Sequence, residues 1–136
     1  VSGDLYALDV GTGGHLSVNG EEYGVTASVF KLPVLMELFR QHYDGEMDAA
    51  AQITVPVEHR SPGPNGLSLM KDPITGSLRD FAWLMMGISD NAATDFICGQ
   101  VGMANVHSNL QRLGITHTNL QGDFRDPFTT MYEHLG

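Results

Sequence analysis

Between Asp4 and Val10 the chain alternates, with Leu5, Ala7 and Asp9 on one side and Tyr6, Leu8 and Val10 on the other. A period of two predicts a β-strand. Gly11-Thr12-Gly13-Gly14 supplies a turn and His15 to Asn19 reads as a second short strand, so the two form a hairpin. The pattern then changes. From Ser28 to Tyr43, residues Leu32, Leu35, Met36, Phe39 and Tyr43 recur at helical spacing, while Val29, Phe30, Val34 and Leu38 fill other faces. A helix apolar on nearly every side is expected to be buried on nearly every side. Pro33, just past the first turn, removes one backbone bond and predicts a local distortion rather than a break.

Asp44-Gly45 ends this helix. Residues 46–76 are rich in proline and glycine and read as a folded surface loop with one extended piece, Ile53 to Val57. Ser77-Leu78-Arg79-Asp80 has the form of a capping box. It opens a helix whose Phe81, Leu84, Met85 and Ile88 share a face. Ser89-Asp90-Asn91 interrupts that pattern, and a helix resumes at Ala92 with Asp90 or Asn91 as its cap. A further helix runs from about Ala104 to Leu113 and stops at Gly114. Two strands are too few for an independent sheet, and the first is apolar enough to want neighbours on both edges. The expectation is an α+β fold, of which this chain is a portion.

Composition narrows the function. At 136 residues and 42% apolar content the chain is one domain, or part of one, with material for a core. A formal net charge of -9 argues against nucleic acid as a partner, because phosphate binding needs clustered Lys and Arg. No segment approaches the roughly 20 apolar residues of a membrane span. The single cysteine, Cys98, excludes an internal disulfide and sits in an apolar stretch that reads as core. His15, His42, His59, His107, His117 and His134 show no metal-ligand spacing, so neither a zinc site nor any other cofactor is expected. Val1 is not an initiator methionine, so the absence of a leader here says nothing about targeting.

The chemistry-bearing residues lie at helix starts. Ser28-Val29-Phe30-Lys31 places a hydroxyl and an amine one turn apart on one face. An amine among apolar residues loses part of its preference for charge, and a neutral lysine beside a serine is a general base beside its nucleophile. The helix start also favours developing negative charge. The bland alternative is an N-cap serine with a lysine that snorkels to solvent. A second Ser-x-x-Lys, Ser68-Leu69-Met70-Lys71, follows the Pro62–Gly66 loop with no buried helix to hold it, and reads as loop surface. Ser89-Asp90-Asn91 alone would be an ordinary helix cap.

Order and conjunction separate these readings. A buried Ser-x-x-Lys helix, followed by a capped helix ending in Ser-Asp-Asn, resembles the serine β-lactamase and penicillin-binding superfamily, and its class A β-lactamase-like branch in particular. The resemblance covers about residues 4 to 122, including Thr26–Pro33, Ser77–Asp95 and Leu113-Gly114-Ile115-Thr116. It implies a β-lactamase/transpeptidase-like α+β domain divided here into 1–27 (hairpin and lead-in), 28–122 (helical region) and 123–136 (an Ω-loop-like tail). It further implies Ser28 as the acylated nucleophile, Lys31 as its base or proton relay, Ser89 as a proton donor to the leaving nitrogen and Asn91 as a ligand of the substrate's amide. The Ser28 backbone N–H would be half of an oxyanion hole. The substrate would be a β-lactam or a peptidoglycan-like amide, and the setting secreted or periplasmic. A D,D-peptidase, an esterase and a non-catalytic binding protein on the same scaffold are the alternatives.

Two departures qualify the resemblance. No Lys-[Ser/Thr]-Gly occurs in the 136 residues, so the family's third signature strand is missing, and the strands that would flank the first one with it. Unpaired edges invite partners, and self-association or a complementary chain is expected. The family's Glu-Pro step is replaced by Asp126-Pro127. Asp126 is the candidate deacylation acid and Asp123 its rival; either is shorter than glutamate by a methylene, and the plain alternative for both is an ordinary loop acid. Without such a base, acylation would outrun deacylation.

Overall fold

The structure is a computed structural model and describes residues 3–64, 66–118 and 120. Strands β1 (Leu5–Leu8) and β2 (His15–Val18) pair antiparallel with Leu5 opposite Val18 and Leu8 opposite His15. β1 is shorter than its alternation predicts. At Asp9 the ladder closes into the turn: its N–H still donates to the Gly14 carbonyl (2.8 Å), but its own carbonyl takes the Gly13 amide (2.8 Å). Its Oδ1 takes the Gly11 and Thr12 amides (2.9 and 3.2 Å). Those bonds hold the Asp9 carboxyl below its usual range.

The predicted first helix is two elements. Ala27–Phe30 is a 3₁₀ turn, and α1 begins only at Lys31 and ends at Tyr43. Pro33 is third in α1, where its missing N–H costs the α-helical ladder no bond. All-round burial is not observed. Leu32, Met36 and Tyr43 are exposed, whereas Lys31, Glu37 and Gln41 are buried. Pattern counting could not foresee this, because each buried polar group has a partner. Glu37 accepts from Arg40 (2.8–3.2 Å) and Gln41 (2.8 Å), and Gln41 donates to the Val101 carbonyl at 2.8 Å.

The stretch predicted as loop contains a second small sheet. β3 (Gln52–Val55) pairs antiparallel with β4 (Ile74–Ser77), and Thr54 and Thr75 face each other with hydroxyls 2.7 Å apart. Strand β4 was hidden by Pro73 and Gly76 in a region lacking alternation. Short 3₁₀ turns at Val57–His59 and Gly66–Leu69 fill the connection. Ser77 then caps α2 (Leu78–Gly87) in the expected box, its hydroxyl accepting the Asp80 amide while Asp80 accepts from the Ser77 N–H. α3 (Asn91–Val101) and α4 (Met103–Arg112) follow. The core lies where α1, α2, α3 and α4 meet, built by Val34, Leu38, Phe81, Met85, Ile97, Val101, Val106 and Leu110. Phe81 and Phe96 meet edge-on, centroids 5.3 Å apart. Cys98 is core, and burial pushes its thiol up to about 12. No described helix is long and apolar enough to cross a membrane.

Candidate active site

The 3₁₀ turn before α1 and the turn between α2 and α3 converge. Ser28 Oγ lies 2.9 Å from Ser89 Oγ. Lys31 Nζ donates to Ser89 Oγ (2.8 Å), to the Ser89 carbonyl (2.8 Å) and to Asn91 Oδ1 (3.2 Å). Ser28, Lys31, Ser89 and Asn91, four of the residues named from the sequence, therefore stand together. The pairing differs in one respect from the one-face reading: Lys31 reaches Ser28 through the hydroxyl of Ser89. Asp123 and Asp126 lie outside the described residues.

Local structure explains the arrangement. Ala27, just before Ser28, has φ 43° and Ser89 has φ 58°. Non-glycine residues rarely adopt this region, and such strain persists only where surrounding contacts hold it. At Ser89 those contacts are visible. Its carbonyl takes Lys31, and the next amide, of Asp90, donates to the Leu84 carbonyl at 3.1 Å. Asp90 is fully buried and accepts from the Ala93 amide (2.8 Å) as N-cap of α3 and from the Leu67 amide (2.7 Å) across the β3–β4 connection. Asp90 thus stabilises the turn, as its sequence context suggested.

Exposure divides the groups by chemistry. Ser28 and Ser89 are open to solvent, while Lys31 beneath them is 2% exposed. Burial pushes the Lys31 amine below its ordinary value, opposed by the charges of Asp90 and Asp95. A neutral amine carries two N–H groups and one lone pair. Here the two N–H groups suit the Ser89 carbonyl and Asn91 Oδ1, and the lone pair can accept the Ser89 hydroxyl. The protonated amine donates to the same three atoms. Lys31 can therefore gain or lose a proton without moving. The described residues contain no cluster of His, Cys, Asp and Glu arranged to hold a metal.

Residues 2–132 match the sequence model of the β-lactamase enzyme family. The chain belongs to that family. The β-lactamase regulatory protein BlaB of Streptomyces cacaoi is 28% identical over 136 residues, which are 99% of this chain and 44% of BlaB. A β-lactamase of Sphaerobacter thermophilus superposes with TM-score 0.82 at 27% identity, over 88% of this chain and 45% of that one. PBP-A superposes with TM-score 0.80 at 27% identity, over 90% and 47%. The chain thus spans about half the length of the relatives it matches, and the fold is that portion of a β-lactamase domain, as the two sequence signatures implied.

The site also includes residues the motifs did not announce. Ser61 donates to the Asp95 carboxylate, and a Cβ on Gly63 would come 3.8 Å from that of Asn91. Asp95 stands four residues after Asn91 on a helix, so spacing alone could have marked it as a neighbour. Nothing in the sequence pattern could have brought Ser61, Gly66 or Leu67 to the same turn. Of the second Ser-x-x-Lys, Lys71 is exposed and Ser68 lies in the Gly66–Leu69 3₁₀ turn, half-buried.

Proposed function

We propose that the protein carrying this chain is a serine hydrolase that acts through an acyl-enzyme on β-lactams or related amides. The observation that carries the reading is the chain Ser28 Oγ, Ser89 Oγ, Lys31 Nζ, two links of 2.9 and 2.8 Å ending on a buried amine. In the first step Ser28 Oγ attacks the amide carbonyl. Its proton passes to Ser89 Oγ as the Ser89 proton passes to Lys31 Nζ. The Ser28 N–H donates to the developing oxyanion. As the C–N bond breaks, Lys31 Nζ returns a proton to Ser89 Oγ while Ser89 gives its own to the leaving nitrogen. Asn91 holds the substrate's side-chain amide while its Oδ1 keeps Lys31 in place. The family match and the PBP-A likeness support this, and a variant of PBP-A is known as an acyl-enzyme complex with penicillin G. A secreted or periplasmic setting goes with that substrate class.

Intact-mass analysis of the whole protein after exposure to benzylpenicillin tests the reading. One penicilloyl group on Ser28, lost in Ser28→Ala, is expected; an unmodified protein overturns it. Side-by-side turnover of a chromogenic cephalosporin, a D-Ala-D-Ala peptide and a simple ester separates β-lactamase from D,D-peptidase and esterase. The relative named a regulatory protein favours a second reading, a β-lactamase-fold protein that signals without turnover. On that reading Ser28→Ala leaves the biological activity unchanged.

A further inference from the structure

The connection between β3 and β4 is organised around one cation. Arg60 Nη1 donates to the carbonyls of Leu67 (3.3 Å) and Met70 (3.0 Å), and Nη2 to those of Val55 (2.9 Å) and Asp72 (2.7 Å). Both terminal nitrogens thus donate twice, in four directions, and the buried Nε has no partner among the described residues. The guanidinium binds backbone dipoles from both ends of the loop, so the loop's course depends on its fork.

That course ends at the candidate site. Leu67, whose carbonyl Arg60 holds, points its amide at Asp90 Oδ2, 2.7 Å away. The fit leaves no slack. Gly66 has φ +54°, and a Cβ there would fall 1.6 Å from Asp90 Oδ2. Asp90 is the residue after Ser89, whose left-handed backbone needs outside support. We propose that Arg60 is a positioning residue for the Ser89 hydroxyl, acting through Leu67 and Asp90. The inference deepens the proposed function, since it rests on Ser89 as the proton relay.

The test uses the whole protein with Arg60→Lys, Gly66→Ala and the double variant. Lysine keeps the charge but not the planar fork. Amide hydrogen exchange at Leu67 and Ala93 reads the link directly, with Val106 and Leu110 in α4 as distant controls. In each single variant we expect exchange at Leu67 to quicken about tenfold or more, the worth of one charge-assisted hydrogen bond, while the α4 amides hold. The first-order acylation rate with benzylpenicillin should fall about tenfold, with the half-saturating concentration changed less than about threefold. The double variant should match the worse single one, because both break one link. Unchanged Leu67 exchange in Arg60→Lys, or equal quickening in α4, overturns the inference. An unmodified wild-type Ser28 sinks the functional reading instead, and the exchange data still judge the link.

Discussion

In the hairpin, Leu5, Tyr6, Leu8, Leu16 and Val18 remain between 49 and 61% exposed, whereas in and beside the helices Lys31, Glu37, Gln41 and Asp90 are buried. Residue type alone would assign the reverse. A two-stranded ribbon has two faces, and among the described residues little mass stands behind either, so its apolar side chains find few partners there. In the helical region the surrounding elements supply a partner for each polar group, which removes most of the penalty for taking it from water. Glu37 meets Arg40 and Gln41, Asp90 meets two amides, and Lys31 meets three oxygens. Burial follows completed partnership.

The contrast can be broken most forcefully at Lys31. Lys31→Met should lower acylation by about a thousandfold, the middle of the range for removing a general base. Its effect on stability should run the other way with pH. The folded amine lies below 10.5 and the unfolded one near it. Between those values the unfolded chain holds more protons, so wild-type stability rises with pH through that window. Thermal melts from neutral pH to pH 10.5 should show that rise in wild type and lose it in Lys31→Met.

Next in size, Phe81→Ala in the core should cost about 3 to 5 kcal/mol in denaturant titration. Glu37→Ala should cost about 2 kcal/mol or more, because Arg40 and Gln41 lose their shared acceptor. Asp95→Asn removes a charge that favours protonated Lys31. The neutral amine then persists to lower pH, and the acid limb of the acylation profile should move down. At the small end, Leu16→Ser on the hairpin should change stability by no more than about 0.5 kcal/mol. A large loss there would show that the exposed face is covered in the working protein.

Much of this molecule was legible in advance. The hairpin, the Ser77–Asp80 box, the Asp90 cap and α4 within a residue at each end all rest on local signals, which act between residues a few positions apart. Ser28, Lys31, Ser89 and Asn91 were identified because two short motifs occur in a known order, and the structure brings all four together. The misses share a cause. β4 forms only because β3 lies beside it, and α1 turns polar residues inward only because Val101 and Arg40 receive them. The 3₁₀ start of α1 opens on a left-handed Ala27, φ 43°, which no residue pattern signals.

The sequence by itself determined the hairpin, the main helices, the family and the four chemical groups, since periodicity, caps and motifs are properties of neighbours in the chain. Only the tertiary structure decided that Lys31 addresses Ser28 through Ser89, and that Arg60, Gly66 and Leu67 brace the turn carrying Ser89. The contacts that reach the turn join residues 23 to 61 positions apart. Their energies depend on distance, direction and exclusion of water, which no linear pattern records.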